Sequence, residues 1–178
     1  MQEKKELRRY IKELKKRLTN ENKACQAKAV HRHLEQSELF VKANAILLYW
    51  ALPDEMPTQS FVNKWYRDKE IYLPVINGDD LKIVRYEGED SLVPGDKYGI
   101  LEPNGIEIDD ESRIELVVVP GVAFDKENNR MGRGAGYYDR ILKRIPDASK
   151  LALAFDFQMV SHVPVEAHDI KMDVVLSI

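Results

Sequence analysis

Cysteine is almost missing from this chain. Cys25 stands alone, so no internal disulfide can form, and the usage fits a reducing compartment. It falls in a helical pattern away from any acid–base cluster, which suits a small buried hydrophobe better than a nucleophile. Long apolar runs are missing too: the longest, residues 45–52, is far short of the ~20 that span a bilayer. The amino terminus, MQEKKELRRYIKELKKRL, is charged throughout and carries acids, unlike a signal or transit peptide, so a cytoplasmic location is expected. Charge of one sign is also lacking, with 27 Lys and Arg against 30 Asp and Glu, which leaves no general footprint for nucleic acid. Any basic site must be local. No internal repeat or low-complexity segment interrupts the chain. At 178 residues, 44% of them hydrophobic, a single domain over 1–178 can bury its own core.

Glycine is sparse, nine residues in all, yet three stand at alternate positions in Arg130-Met131-Gly132-Arg133-Gly134-Ala135-Gly136. Before this loop, Leu116–Val119 reads as a buried strand that Pro120 and Gly121 end. After it, Tyr137-Tyr138-Asp139-Arg140-Ile141-Leu142 reads as the first turns of a helix. Alternating glycines let the backbone take positive φ and let a ligand approach its N–H groups. Open amides, a helix dipole and two arginines are what a polyphosphate needs. A flexible turn carrying solvated charge is the plainer alternative; the strand before, the helix after and the interleaved arginines weigh against it. The spacing is neither that of a P-loop nor the G-x-G-x-x-G of dinucleotide folds. Chemistry alone therefore reaches an anion site suited to nucleotide phosphate.

Elsewhere helical and strand patterns alternate. Residues 2–18 read as a helix with Leu7, Tyr10, Ile11, Leu14 and Leu18 on one stripe. Thr19 is a plausible N-cap for a second helix over 21–37, with Ala24, Ala27, Val30 and Leu34 inward. His31 and His33, two apart, do not share a face for a metal. Residues 45–49 read as a central strand running into a loop broken by Pro53 and Pro57, at the strand end where open α/β sheets place ligands. Thr58 reads as the N-cap of a helix over 59–67 with Phe61, Val62 and Trp65 inward. Alternating runs over 70–75 and 81–86 flank Asn77-Gly78, a hairpin pattern. Residues 87–113, rich in Gly, Pro and Asp, read as a long surface excursion of the kind that makes a lid or binding rim. Within it, Tyr98-Gly99-Ile100-Leu101-Glu102-Pro103 has no basic residue after Lys97 and no helix behind it, and reads as structural. Strands over 151–155 and 174–178 complete a layered α/β domain with a mainly parallel sheet.

Gly121-Val122-Ala123-Phe124-Asp125, followed by the run from Asn129 to Asp139, resembles the signature of the 5-formyltetrahydrofolate cyclo-ligase (methenyltetrahydrofolate synthetase) family. Met131 stands where that family more often has Leu, a volume-conserving exchange. The resemblance implies a three-layer α/β/α sandwich and ATP- and Mg2+-dependent closure of 5-formyltetrahydrofolate to 5,10-methenyltetrahydrofolate. Lys4-x-x-x-Arg8 is similar to the family pair that reaches the nucleotide phosphates, although composition alone makes it a solvated basic face. ATP would lie against Lys4, Arg8 and the run from Arg130 through Tyr138, its phosphates on the amides around Gly132, Gly134 and Gly136. Arg130 and Arg133 would add positive charge, with Arg133 meeting the transferred phosphoryl group. Glu55, in a Glu-x-x-Thr element ending at Thr58, is expected to contact the pterin ring, whose adjacent N–H donors suit a carboxylate. Trp50 is either a substrate contact or a core aromatic. Tyr137 and Tyr138 would stack on the folate or donate to its formyl oxygen, with Tyr138 the catalytic candidate. Asp139, in the first helical turn beside the phosphates, suits a Mg2+ ligand or a plain dipole-favoured acid. Asp169, in His168-Asp169 with Asp173 following, resembles the family's carboxy-terminal metal element and is the second expected ligand.

Two other readings fit parts of the pattern. One is a sugar-phosphate-isomerase or acyl-transferase relative on a similar scaffold; the other is a regulatory module binding a phosphorylated metabolite or RNA. Retention of Glu55, Asp139 and Asp169 favours a working enzyme. The expected partners are small molecules, reduced folate and ATP, with no nucleic acid and no membrane, in a monomer or weak dimer.

Overall fold

A computed structural model describes residues 2–95 and 99–178. In chain order it gives helices α1 (Gln2–Lys15), α2 (Asn20–Gln36) and α3 (Glu38–Lys42), then β1 (Ala45–Leu47), α4 (Gln59–Trp65) and the hairpin β2 (Glu70–Asn77) and β3 (Asp80–Arg85). There follow β4 (Leu92–Pro94), β5 (Leu101–Pro103), β6 (Leu116–Val119), β7 (Ala123–Phe124), β8 (Arg130–Met131), α5 (Tyr137–Arg144), β9 (Ser149–Leu153) and β10 (Val174–Leu176).

The short apolar runs become the inner strands because both of their faces are covered. A sheet of six strands runs β10-β9-β6-β1-β2-β3. All neighbours are parallel except β3, which returns antiparallel at the edge. Ile46 lies opposite Ile71 on one side and Leu116 on the other. Strand alternation then divides the core. Leu116 and Val118 join Ile46, Leu48 and Ile71 under Val30 and Leu34 of α2 and Phe61 and Val62 of α4. Val117 and Val119 join Leu47 and Ala152 under Ile141 and Leu142 of α5. Helices thus cover both faces, the expected three-layer α/β/α arrangement. Helix α1 lies apart from both, its fully buried Ile11 set against Val122, Ala123, Met131 and Val163. Burial of that side chain contributes roughly 1.5–3 kcal/mol toward holding α1 on the β7–β8 hairpin.

Connectivity decides where a ligand can enter. From β1 the chain crosses to β2 on one side; from β6 it steps to β9 and β10 on the other. The order reverses between β1 and β6, and the crevice beyond their carboxyl ends is the natural site in such sheets.

Several local expectations are corrected. Tyr10 is 57% exposed and off the buried stripe of α1, which ends at Lys15. Ala24 and Cys25 are exposed on α2, although Thr19 does cap that helix by accepting the Asn22 N–H. Thr58 precedes α4 but makes no cap bond. Its buried hydroxyl donates to the Tyr49 carbonyl and accepts the Ala51 N–H, because loop amides sealed from water need partners more than the helix end does. The excursion over 87–113 is more ordered than its composition suggests. It holds the β4–β5 hairpin, and backbone bonds from Arg85 to Ile106 and from Ile108 to Ile83 cover the outer edge of β3. Lys97 and Tyr98 lie outside the described residues.

Candidate active site

A cavity of about 620 Å³ opens at the crevice between β1 and β6. Every residue expected to meet ATP, folate or metal lines it, from Lys4 and Arg8 through Trp50, Glu55 and the glycine loop to Asp139 and Asp169.

The glycine loop is set by the turn before it. The buried Asp125 carboxylate accepts the N–H groups of Glu127, Asn129 and Val163 and the Asn129 side-chain amide, all at 2.9–3.0 Å. That knot supports Asn128 at φ 63° and returns the chain as β8. Arg130 and Met131 are therefore paired, buried strand residues rather than the start of an open loop. Arg130 donates to Asp139 at 2.9 Å and to the Pro120 carbonyl at 3.2 Å, and its Nε has no partner among the described residues. A side chain at position 132 would meet the Arg130 guanidinium at 2.9 Å, so glycine is what lets the loop pass. Gly134 and Gly136 take φ of +107° and +73°, the left-handed region. No side chain caps α5 behind Gly136, at the point where the helix meets the cavity.

Four of the cations that line this cavity, Lys4, Arg8, Arg130 and Arg133, are engaged by acids or backbone carbonyls. Arg133 donates to Asp54 at 2.5 Å and to Glu55 at 3.1 Å, joining the loop after β1 to the glycine loop. Arg8 donates to the Gly132 carbonyl at 2.9 Å. Lys4 donates to Asp169 at 2.5 Å and to Glu166 at 3.1 Å. Burial alone would push the Asp169 carboxyl up, but the Lys4 ammonium and the Glu166 N–H hold it below its ordinary range. Lys4 is likewise raised, its two acids outweighing the burial that would lower it. Burial and the nearby Glu55 carboxylate push the Tyr138 phenol well up, so it stays a proton-bearing donor at neutral pH.

Glu166, His168 and Asp169 bring donor atoms within 4.8 Å of one another. Asp139 is outside that group, held by Arg130. Sequence reasoning passed over Asp54, which pairs with Arg133, and Glu102 and Glu166, which line the cavity. Asp54 and Glu166 sit beside residues that were singled out; Glu102 gave no signal beyond its place in a segment read as structural.

A sequence model of the 5-formyltetrahydrofolate cyclo-ligase family matches residues 1–177. The chain belongs to this family. The 5-formyltetrahydrofolate cyclo-ligase of Mus musculus is 27% identical over 96% of this chain and 91% of its own. That of Haemophilus influenzae is 29% identical over 96% and 95%. Among solved structures, the 5,10-methenyltetrahydrofolate synthetase of Aquifex aeolicus superposes with a TM-score of 0.86 at 32% identity, covering 97% of this chain and 88% of that one. The likeness first read in residues 121–139 thus extends from end to end, and cyclo-ligase family membership makes the chain a ligase of folate metabolism. Among the described residues, no helix is long and apolar enough to cross a membrane.

Proposed function

We propose that this cavity performs the ATP- and Mg2+-dependent cyclisation of 5-formyltetrahydrofolate to 5,10-methenyltetrahydrofolate, with release of ADP and phosphate. The observation that carries the reading is convergence: the glycine loop with Arg133, Lys4 and Arg8 meets Glu55, Trp50 and Tyr138 in one crevice. A formamide oxygen leaves poorly, so N10 cannot displace it unaided. Transfer of the γ-phosphoryl group to that oxygen lets it depart as phosphate while N10 closes the ring. Such transfer is mostly positioning and charge neutralisation.

The roles follow from placement. The amides from Gly132 to Gly136 and the side chains of Lys4, Arg8 and Arg130 hold the nucleotide, and Met131, Ala135 and Tyr137 complete its wall. Arg133 exchanges its carboxylate partners for the phosphoryl group. Tyr138, kept protonated, donates to the formyl oxygen, and Glu55 and Trp50 bound the folate. Asp169 and Asp139 already hold protein cations, Lys4 and Arg130, which fits carboxylates made to carry positive charge. They would hold Mg2+, which when bound neutralises phosphate oxygens. The enzyme works as one domain over 1–178, as a monomer or weak dimer in the cytoplasm.

Mixing protein, Mg-ATP and 5-formyltetrahydrofolate and following methenyl absorbance tests this. ATP-dependent product, sharply reduced in Arg133→Ala, is expected. Folded protein that binds nucleotide yet makes no product sinks the reading.

A further inference from the structure

Glu102 is an acid only 7% exposed, and it forms no ion pair among the described residues. It stands on β5, where the β4–β5 hairpin folds against β2. The reason it can sit there lies in the sheet. β1 ends at Leu47, opposite Tyr72, so beyond that point β2 has no strand on its inner edge. On this edge Pro74 has no N–H to offer, and the Ile76 N–H is taken at 3.0 Å by Glu102 Oε1. The other oxygen, Oε2, accepts no hydrogen bond from any described residue. Gly95 makes room for it, since a Cβ at that position would stand 2.6 Å from Oε2 and 2.5 Å from the carboxyl carbon. Glu102 lines the cavity together with Trp50, Pro74, Ile76 and Ile100.

Glu102 is a buried residue whose carboxylate has one oxygen fixed by a backbone N–H and the other without a donor among the described residues in a largely apolar cavity wall, an acceptor placed for a ligand N–H. Phosphate is excluded here by charge and belongs with Lys4, Arg8 and Arg133. Glu55 offers the ring one oxygen once Arg133 turns to the phosphoryl group, while its Oε2 stays with the Leu52 N–H, which leaves room for a second acceptor. We propose that Glu102 is a specificity-determining residue of this enzyme. Its Oε2 takes an N–H edge of the reduced pterin, while Trp50, Pro74, Ile76 and Ile100 flank the ring. The inference rests on the folate reading above and adds a second acidic contact to it. The amino group of adenine is the other N–H source in the reaction mixture, and the test separates the two.

Two variants probe the contact in different ways. Glu102→Gln keeps an oxygen for the Ile76 N–H and turns the other position into a donor. Gly95→Ala leaves the charge and displaces the carboxylate, so it decides the matter if Glu102→Gln does not fold. Steady-state kinetics and equilibrium binding of 5-formyltetrahydrofolate are measured on both, with thermal unfolding as the control. The expected result is a rise in folate Kd and KM of about tenfold or more, with kcat and the KM for ATP nearly unchanged. Unchanged folate binding in a folded variant overturns the inference and leaves Glu102 as a brace for β2. A rise confined to the KM for ATP also overturns it, in favour of adenine. Wild-type protein that binds folate but makes no methenyl product refutes the cyclisation reading without touching this one.

Discussion

Removing the Asp139 carboxylate should destabilise the fold as well as the chemistry. Arg130 and Asp139 meet at 2.9 Å with side chains 4% and 18% exposed. Breaking a buried ion pair by deleting one partner typically costs about 3–5 kcal/mol, because the survivor is left uncompensated. Here the Pro120 carbonyl still serves Arg130, and Asp139 is partly wet, which lowers the expectation to about 2–3 kcal/mol. For a chain of this size that is a fall in Tm of about 4–12 °C. Urea and thermal unfolding of Asp139→Ala, Arg130→Met and the double variant measure it. The double variant should lose less than the sum of the singles, since the stranded guanidinium is gone. Stability of Asp139→Ala within about 0.5 kcal/mol of wild type would refute the reasoning, because a surface-type acid behaves that way. Asp139→Asn keeps an acceptor for Arg130 while losing the charge. Activity lost in that variant without loss of stability isolates a metal-binding part from the structural one.

Gly134→Ala forces a side chain into φ of +107°, at a cost of roughly 1–3 kcal/mol; Tm should fall by about 2–12 °C and the KM for ATP rise about tenfold, read by calorimetry and kinetics. Thr58→Val strips partners from the Tyr49 carbonyl and the Ala51 N–H and should cost about 1–3 kcal/mol in urea unfolding. The Lys4–Asp169 pair predicts opposite pH limbs. Asp169, depressed below its ordinary 3.8, lends stability above that value that is lost as the pH falls through its folded value. Lys4, raised above 10.5, lends stability below that value that is lost as the pH climbs through its folded one. Asp169→Asn should therefore flatten the acid limb and weaken the alkaline one, where Glu166 still holds Lys4, and Lys4→Met should flatten both, in unfolding midpoints followed across pH.

Much of the architecture was legible because it follows from periodicity. The four apolar residues of β6 have no polar alternation, and both of their faces proved covered. The glycine loop was legible because three alternating glycines, two arginines and a following helix have few other uses. What was hidden depends on contacts between distant residues. Arg130 reads as a loop cation until Asp125 is seen to knot the preceding turn and return the chain as a strand. Thr58 fits an N-cap by position, and only the fold reveals two sealed backbone groups competing for its hydroxyl. Glu102 carries no local mark, since its meaning comes from where β1 stops beside β2.

The bond from Lys4 to Asp169 joins positions 165 residues apart, and Arg8 reaches across 124 residues to the glycine loop. Lys4 therefore gains its acidic partners only from the segment around Glu166 and Asp169, although Ile11 and Arg8 can already hold α1 against the β7–β8 hairpin and the glycine loop. The Lys4 corner of the site closes only after that loop emerges, whereas the β1–β2–β3 portion can pair much earlier. A nascent chain stalled before residue 169 would carry most of the sheet, the glycine loop and a seated α1, yet lack the acid that fixes Lys4 at the cavity rim.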